Sequence, residues 1–234
     1  MDLQGSTVLV TGASRGIGLG FVVHLARRGA TVLATARDPK TPKLADALRD
    51  APEGRITTFA LEVTNDTSVA ELARALAGRP IDAVIQNAGV ASGFRGLENL
   101  DAASCIATFD VNAVGPLRVT QALLPNLRAG KGKTLMHITS QMGSIDDNTS
   151  GGSYAYRMSK AALNMASRSL SVDLRGDRIA SFVVHPGWVQ TEMGGSGASI
   201  TVDQSVEGML RLLDGDTLAR SGRFFTFRGE ELPW

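Results

Sequence analysis

Thr7-Val8-Leu9-Val10-Thr11-Gly12-Ala13-Ser14-Arg15-Gly16-Ile17-Gly18 decides the fold. It opens on a short β-rich apolar run, turns through three glycines, and continues into Ile17, Phe21 and Leu25 at helical spacing. Arg27-Arg28-Gly29 then closes the helix, with cations near the negative end of its dipole and a glycine past the last turn. Strand, tight turn and helix follow one another without a break. The pattern Gly-x-x-x-Gly-x-Gly differs from the Gly-x-Gly-x-x-Gly dinucleotide fingerprint, but the mechanics carry over. Glycines permit the turn, and bare backbone lets a phosphate approach the helix N-terminus. Gly12, Ser14, Arg15, Gly16, Ile17 and Gly18 are therefore candidate phosphate contacts; the plainer reading is a turn alone.

The same alternation runs through the rest of the chain. Candidate strands are 7–10, 31–35, 56–61, 81–85, 134–138, 179–184 and 223–227, most of them continuous apolar stretches, as parallel strands covered on both faces should be. Helical patterns lie between them: Val69, Leu72, Ala73 and Leu76, then longer segments over 101–127, 154–174 and 202–213, with Pro116 disturbing the first locally. No linker, repeat or low-complexity tract divides the 234 residues. The expected fold is α/β, a single-domain, Rossmann-type doubly wound parallel sheet of about seven strands with helices on both faces.

Composition narrows the function. Hydrophobic residues at 43% and charged residues at 20% suit a globular chain, and a net charge of +1 speaks against a nucleic-acid or anionic-membrane binder. No apolar run reaches membrane-spanning length, and the start Met1-Asp2-Leu3-Gln4-Gly5 has no basic region of a signal peptide. Cys105 is the single cysteine, so a cytoplasmic setting fits, and His24, His137 and His185 lack metal-ligand spacing. No metal is expected.

Two segments carry chemistry. At the end of the second strand stands Arg37, followed by Asp38. A carboxylate there would favour a ribose diol and NAD, whereas a guanidinium pairs with a 2′-phosphate. With Arg15 as a second cation, NADP (NADPH) is expected over NAD; alternatively the pair is a solvated loop. In Tyr156-Arg157-Met158-Ser159-Lys160, a phenol and an ammonium fall four residues apart in a helical segment, so they share one face. A fixed positive charge favours the phenolate and would lower a pKa that is ordinarily about 10. Tyr154 is six residues from Lys160 and faces elsewhere, either starting the helix or lining a cleft.

Taken in order, Thr11 to Gly18, Asn87-Ala88-Gly89, Ser140, Tyr156 and Lys160 resemble the short-chain dehydrogenase/reductase family over nearly the whole chain. Met142-Gly143-Ser144-Ile145, Thr191-Glu192-Met193-Gly194-Gly195 and Glu231-Leu232-Pro233-Trp234 bring it closest to the sniffer-type carbonyl reductases and C-factor-like members. The resemblance implies that Tyr156 exchanges a proton with the substrate oxygen and that Ser140 hydrogen-bonds that oxygen. Lys160 would hold the nicotinamide ribose and depress the tyrosine, and Asn112 would hold a water linked to the lysine. Read from the residues alone, Asn112 either caps a kink near Gly115-Pro116 or has such a role. In Pro186-Gly187-Trp188-Val189-Gln190-Thr191, Val189 and Thr191 would contact the carboxamide and pyrophosphate.

Two departures stand out. Gln86 replaces the first Asn of Asn-Asn-Ala-Gly, and Glu62, beside Val63, stands where an Asp commonly faces the adenine. The implied activity is NADPH-dependent reduction of a small carbonyl compound to an alcohol, or its reverse. The alternatives are a nucleotide-dependent regulatory protein and an epimerase or dehydratase with tightly held nucleotide. Segments 91–96 and 192–200 should border the substrate, and their shortness and glycines suggest one that is small or exposed and apolar. A homodimer or homotetramer is implied by the family. Ala162, Leu163, Ala166 and Leu170 serve either as its helix-pairing face or as interior packing.

Overall fold

Seven parallel strands hydrogen-bond in the order β3-β2-β1-β4-β5-β6-β7. They are β1 (Thr7–Val10), β2 (Thr31–Ala36), β3 (Ile56–Ala60), β4 (Ala83–Gln86), β5 (Thr134–Ile138), β6 (Ala180–His185) and β7 (Phe224–Thr226). The structure, a computed structural model, describes residues 1–91, 93 and 96–234. Part of the expected substrate-bordering segment 91–96 therefore lies outside the described residues.

Alternation along each strand feeds two cores at once. Val8 and Val10 of β1 join Val32, Phe182 and Val184 beneath Phe21, Val22 and Leu25 of α1 (Gly16–Arg27). Val206, Met209 and Leu210 of α7 (Val202–Arg211) complete that layer. Leu9 points the other way, with Leu33, Val84 and Leu135, against Val69 and Leu72 of α3 (Asp66–Ala75) and Val119, Leu123 and Leu127 of α5 (Gly115–Ala129). Burial on both faces is why these strands read as unbroken apolar runs.

Two elements differ from the sequence reading. Helix α2 (Pro42–Asp50) had no counterpart in it; only Leu44 and Ala47 of α2 are buried, too few to make a periodic signal. The expected helix over 101–127 is interrupted: α4 (Ala102–Phe109) passes through a wide π-type turn at Asp110–Val114 into α5. Pro116 explains the site of the break. It has no N–H for the carbonyl of Asn112, four residues earlier, and its ring would clash there, so the backbone widens just upstream. On α6 (Tyr154–Asp173), Leu163 is buried, as interior packing requires, and Leu170 is partly buried against the second core.

Candidate active site

Because every strand runs the same way, the segments that follow β1 to β6 gather at one edge of the sheet. The order of strands reverses between β1 and β4, and that switch point opens a crevice at the edge. Its walls are locked by Thr11 and Asn87. The Thr11 hydroxyl accepts from the Asn87 and Ala88 amides at 2.9 and 3.0 Å, and the Asn87 side-chain amide donates to the Thr11 and Gly12 carbonyls at 2.9 and 3.1 Å.

Glycine is obligatory at two points of the turn. Gly12 has φ +65°, and a Cβ on it would stand 2.9 Å from the Ala88 Cα. A Cβ on Gly18 would lie 2.1 Å from the Gly12 carbonyl oxygen. Arg15, in the N-cap position of α1, makes no capping hydrogen bond, so the first-turn N–H groups remain open to an anion. Ser14 and Ile17 are half-buried within this turn, and the Thr191 methyl would touch a Cβ on Gly16 at 3.2 Å. The cradle fits a dinucleotide pyrophosphate.

At the end of β2 the exposed Arg37 guanidinium stands 3.9 Å from the Glu62 carboxylate. Glu62 accepts a 3.1 Å hydrogen bond from the Thr64 hydroxyl, while Val63 turns its side chain into the core against Gly115. Gln86 has a packing explanation: its buried amide donates to the Pro116 carbonyl and the Thr120 hydroxyl. Beyond β6, Pro186 and Val189 are buried, and Val189 bridges to Ile200 at the base of segment 190–200. A Cβ on Gly187 would strike Ile200 at 2.3 Å, so that turn is held tightly from behind.

Tyr156 and Lys160 lie one turn apart on α6, with the ammonium 5.7 Å from the centroid of the phenol ring. Lys160 is buried and donates to the Ile138 carbonyl at 2.9 Å. Burial lowers it to about 8. The expected lowering of the tyrosine is not found. Burial raises the Tyr156 phenol above its ordinary value, opposed by a hydrogen bond with the Ser140 hydroxyl, because removing the phenolate from water outweighs the neighbouring groups. Ser140 also accepts from the Met142 amide at 3.2 Å, which aims the short turn after β5. Tyr154 starts the helix, as one of its two readings held.

Asn112 joins three elements in the π-type turn. Its side chain receives the Val90 amide at 2.8 Å and donates to the Val90 carbonyl at 2.9 Å and the Ser159 hydroxyl at 3.0 Å. Ser159 in turn donates to the Tyr156 carbonyl at 2.8 Å. A Cβ on Gly89 would come within 3.2 Å of the Asn112 side-chain oxygen and 3.5 Å of the Lys160 ammonium. Ser159 and Asn164, which links Thr139 to the Gly143 carbonyl, were not singled out in the sequence. The signal available for Ser159 was a small polar residue directly before Lys160; for Asn164 it was one helical turn further on the same face.

The short chain dehydrogenase family model matches residues 6–199. The chain belongs to this family. As a short-chain dehydrogenase it is 54% identical to C-signal of Myxococcus xanthus over 155 residues, 66% of this chain and 93% of that protein. It is 36% identical to 1-hydroxy-2-glutathionyl-2-methyl-3-butene dehydrogenase of Rhodococcus sp. strain AD45, over 98% of this chain and all of that one. Among solved structures, the NADPH-bound carbonyl reductase from chicken fatty liver superposes with a TM-score of 0.90 at 35% identity, covering 99% of this chain and 100% of that one. Carbonyl reductase Sniffer of D. melanogaster gives 0.91 at 29% identity with the same coverage. The likeness to sniffer-type and C-factor-like members is thus found from two directions. Among the described residues, no helix of this oxidoreductase-family chain is long and apolar enough to cross a membrane.

Proposed function

We propose that the chain is an NADPH-dependent carbonyl reductase that converts a ketone or aldehyde to the alcohol, with Ser140, Tyr156, Lys160 and Asn112 as its catalytic set. One observation carries the reading: the Tyr156 phenol meets the Ser140 hydroxyl beside the Lys160 ammonium, at the sheet edge that also holds the glycine cradle. A bound dinucleotide supplies the hydride. The protein's part is to orient both reactants and to deliver a proton.

The raised pKa suits that task, since reduction needs a phenol that still carries its proton at neutral pH. Ser140 holds the carbonyl oxygen, Tyr156 gives it the proton, and the Lys160 charge offsets the phenolate left behind. Asn112 fixes Val90 and Ser159, and so the spacing between the loop after β4 and the helix that bears the tyrosine. Gly12 to Gly18 take the pyrophosphate, with Arg37 and Arg15 on the 2′-phosphate. Glu62, the main chain of Val63, Asn87 and Ala88 line the adenosine side, and Gly89, Pro186, Gly187, Val189 and Thr191 the nicotinamide side. The NADPH-bound chicken relative supports the choice of cofactor.

Replacement of Tyr156 by Phe removes the proton donor and leaves the cradle untouched. Turnover with NADPH and a panel of ketones and aldehydes should fall by about 10²- to 10⁴-fold, with nucleotide affinity within about twofold of the parent. Retained turnover in Y156F overturns the acid assignment. The 54% identity to C-signal favours a second reading, a nucleotide-dependent signalling protein. That reading is supported if no carbonyl compound in the panel is reduced while NADPH still binds.

A further inference from the structure

Glu192 ties two cations together beside the glycine turn. Its carboxylate stands 2.5 Å from the Arg15 guanidinium and 3.9 Å from the Lys43 ammonium. These groups come from three distant parts of the chain: the glycine turn, the first turn of α2 and the segment after β6. The backbone around Glu192 is fixed, because the Gly194 amide donates to the Thr191 hydroxyl at 3.1 Å and the Gly195 amide to the Thr191 carbonyl at 2.9 Å. Thr191 itself rests on Gly16. The carboxylate is therefore held over the mouth of the turn that begins α1. Arg37 has its own carboxylate, Glu62, at 3.9 Å. Three cations thus flank the ends of β1 and β2, each with an acidic partner from this chain.

We infer that Glu192 is an internal counter-ion that a 2′-phosphate displaces from Arg15 and Lys43, making Lys43 a further phosphate-binding residue and Glu192 a determinant of cofactor selectivity. The inference rests on the NADPH reading above. A phosphate monoester carries between one and a half and two negative charges at neutral pH and three acceptor oxygens, against one charge on Glu192. It can hold both cations more strongly than the carboxylate does. A nucleotide with a free 2′-hydroxyl brings no phosphate to that position, so the Arg15 guanidinium and the Lys43 ammonium stay with Glu192. The exchange weakens the affinity for a 2′-phosphorylated ligand and so narrows its advantage over one with a free 2′-hydroxyl. It takes from every 2′-phosphorylated ligand the strength of two exposed ion pairs, which is small enough to be overcome.

The test uses two probes that differ only in the 2′-phosphate, 2′,5′-ADP and 5′-AMP, titrated calorimetrically into the whole chain and two variants. Glu192→Gln keeps the size of the side chain and removes its charge; it should tighten 2′,5′-ADP about two- to fivefold and leave 5′-AMP unchanged. Lys43→Ala should weaken 2′,5′-ADP by about threefold, again without effect on 5′-AMP, and reduce the salt dependence of binding. An E192Q variant that binds 2′,5′-ADP no better than the parent, or that shifts both probes equally, overturns the exchange. If the unmodified chain prefers 2′,5′-ADP over 5′-AMP while E192Q changes nothing, the exchange alone falls. If it shows no such preference, the NADPH reading falls with it.

Discussion

Lys160 brings an ammonium into a position only 5% exposed, with the Ile138 carbonyl as its one hydrogen-bond partner among the described residues. Folding depresses its pKa from 10.5 to about 8, so the native state disfavours the charged form. Below about pH 8 the penalty is constant. Between about 8 and 10.5 the unfolded chain keeps a proton that the native chain has released, and stability rises with pH. Lys160→Met, similar in volume and uncharged, should therefore be more stable than the parent at pH 7 by about 1–3 kcal/mol while losing turnover. Urea unfolding would show the advantage shrinking toward pH 10.5; an advantage independent of pH would mean that the buried charge is not its source. The Tyr156–Lys160 pairing was legible in the sequence because helical period is a local property. The direction of the tyrosine shift was not, because it depends on burial by residues far away in the chain. Ser159 escaped notice for the same reason: its partner Asn112 is 47 positions distant.

Elements were legible where apolar periodicity was long and missed where it was short. The five inner strands announced themselves because both faces are buried, whereas α2 hides two apolar contacts among charged residues. Pro116 marked the interruption of the 101–127 segment, and one reading set Asn112 at that kink, but the π-type widening over Asp110–Val114 was not legible. Two stretches quoted for their family likeness, 142–145 and 231–234, meet in the structure. The chain returns along β7, with the Leu232 amide donating to the Phe224 carbonyl at 2.8 Å. Trp234 stacks on Phe224 at 5.9 Å, and its carbonyl accepts from both the Ile145 and Asp146 amides at 3.0 Å. The closing segment thereby clamps the loop that follows Ser140. Trp234→Ala removes the stacking that aims the carbonyl, and it should raise the KM for a carbonyl substrate about three- to tenfold, with nucleotide affinity unchanged, since small misplacements near a reacting centre are costly. Hydrogen exchange should quicken at Ile145 and Asp146; unaltered protection of these two amides would remove the clamp from the account.

At the scale of the whole molecule, the doubly wound architecture put the site at one edge before any side chain was placed, since parallel strands and a reversal of order leave one crevice. That architecture also buries two imidazoles. His137, in the middle of β5, is fully enclosed; its Nε2 lies 3.2 Å from the Ser181 hydroxyl and its Nδ1 finds no partner among the described residues. Burial, with the Lys160 charge adding to it, lowers its pKa to about 3. His185, at the end of β6, is lowered to about 4 by burial, and its Nδ1 is likewise unpartnered. Both native values lie below the ordinary 6.5, so the folded chain holds these rings neutral while the unfolded chain protonates them as pH falls. Their contribution is complete above about pH 6.5 and is lost progressively toward pH 3 to 4. Between pH 6.5 and 5, before most carboxylates titrate, stability should drop by about 2–4 kcal/mol. His137→Gln retains a polar side chain in β5 without a titrating ring, so its unfolding free energy should decline about half as steeply over the same interval. Equal slopes for H137Q and the parent would show that the acid sensitivity arises elsewhere.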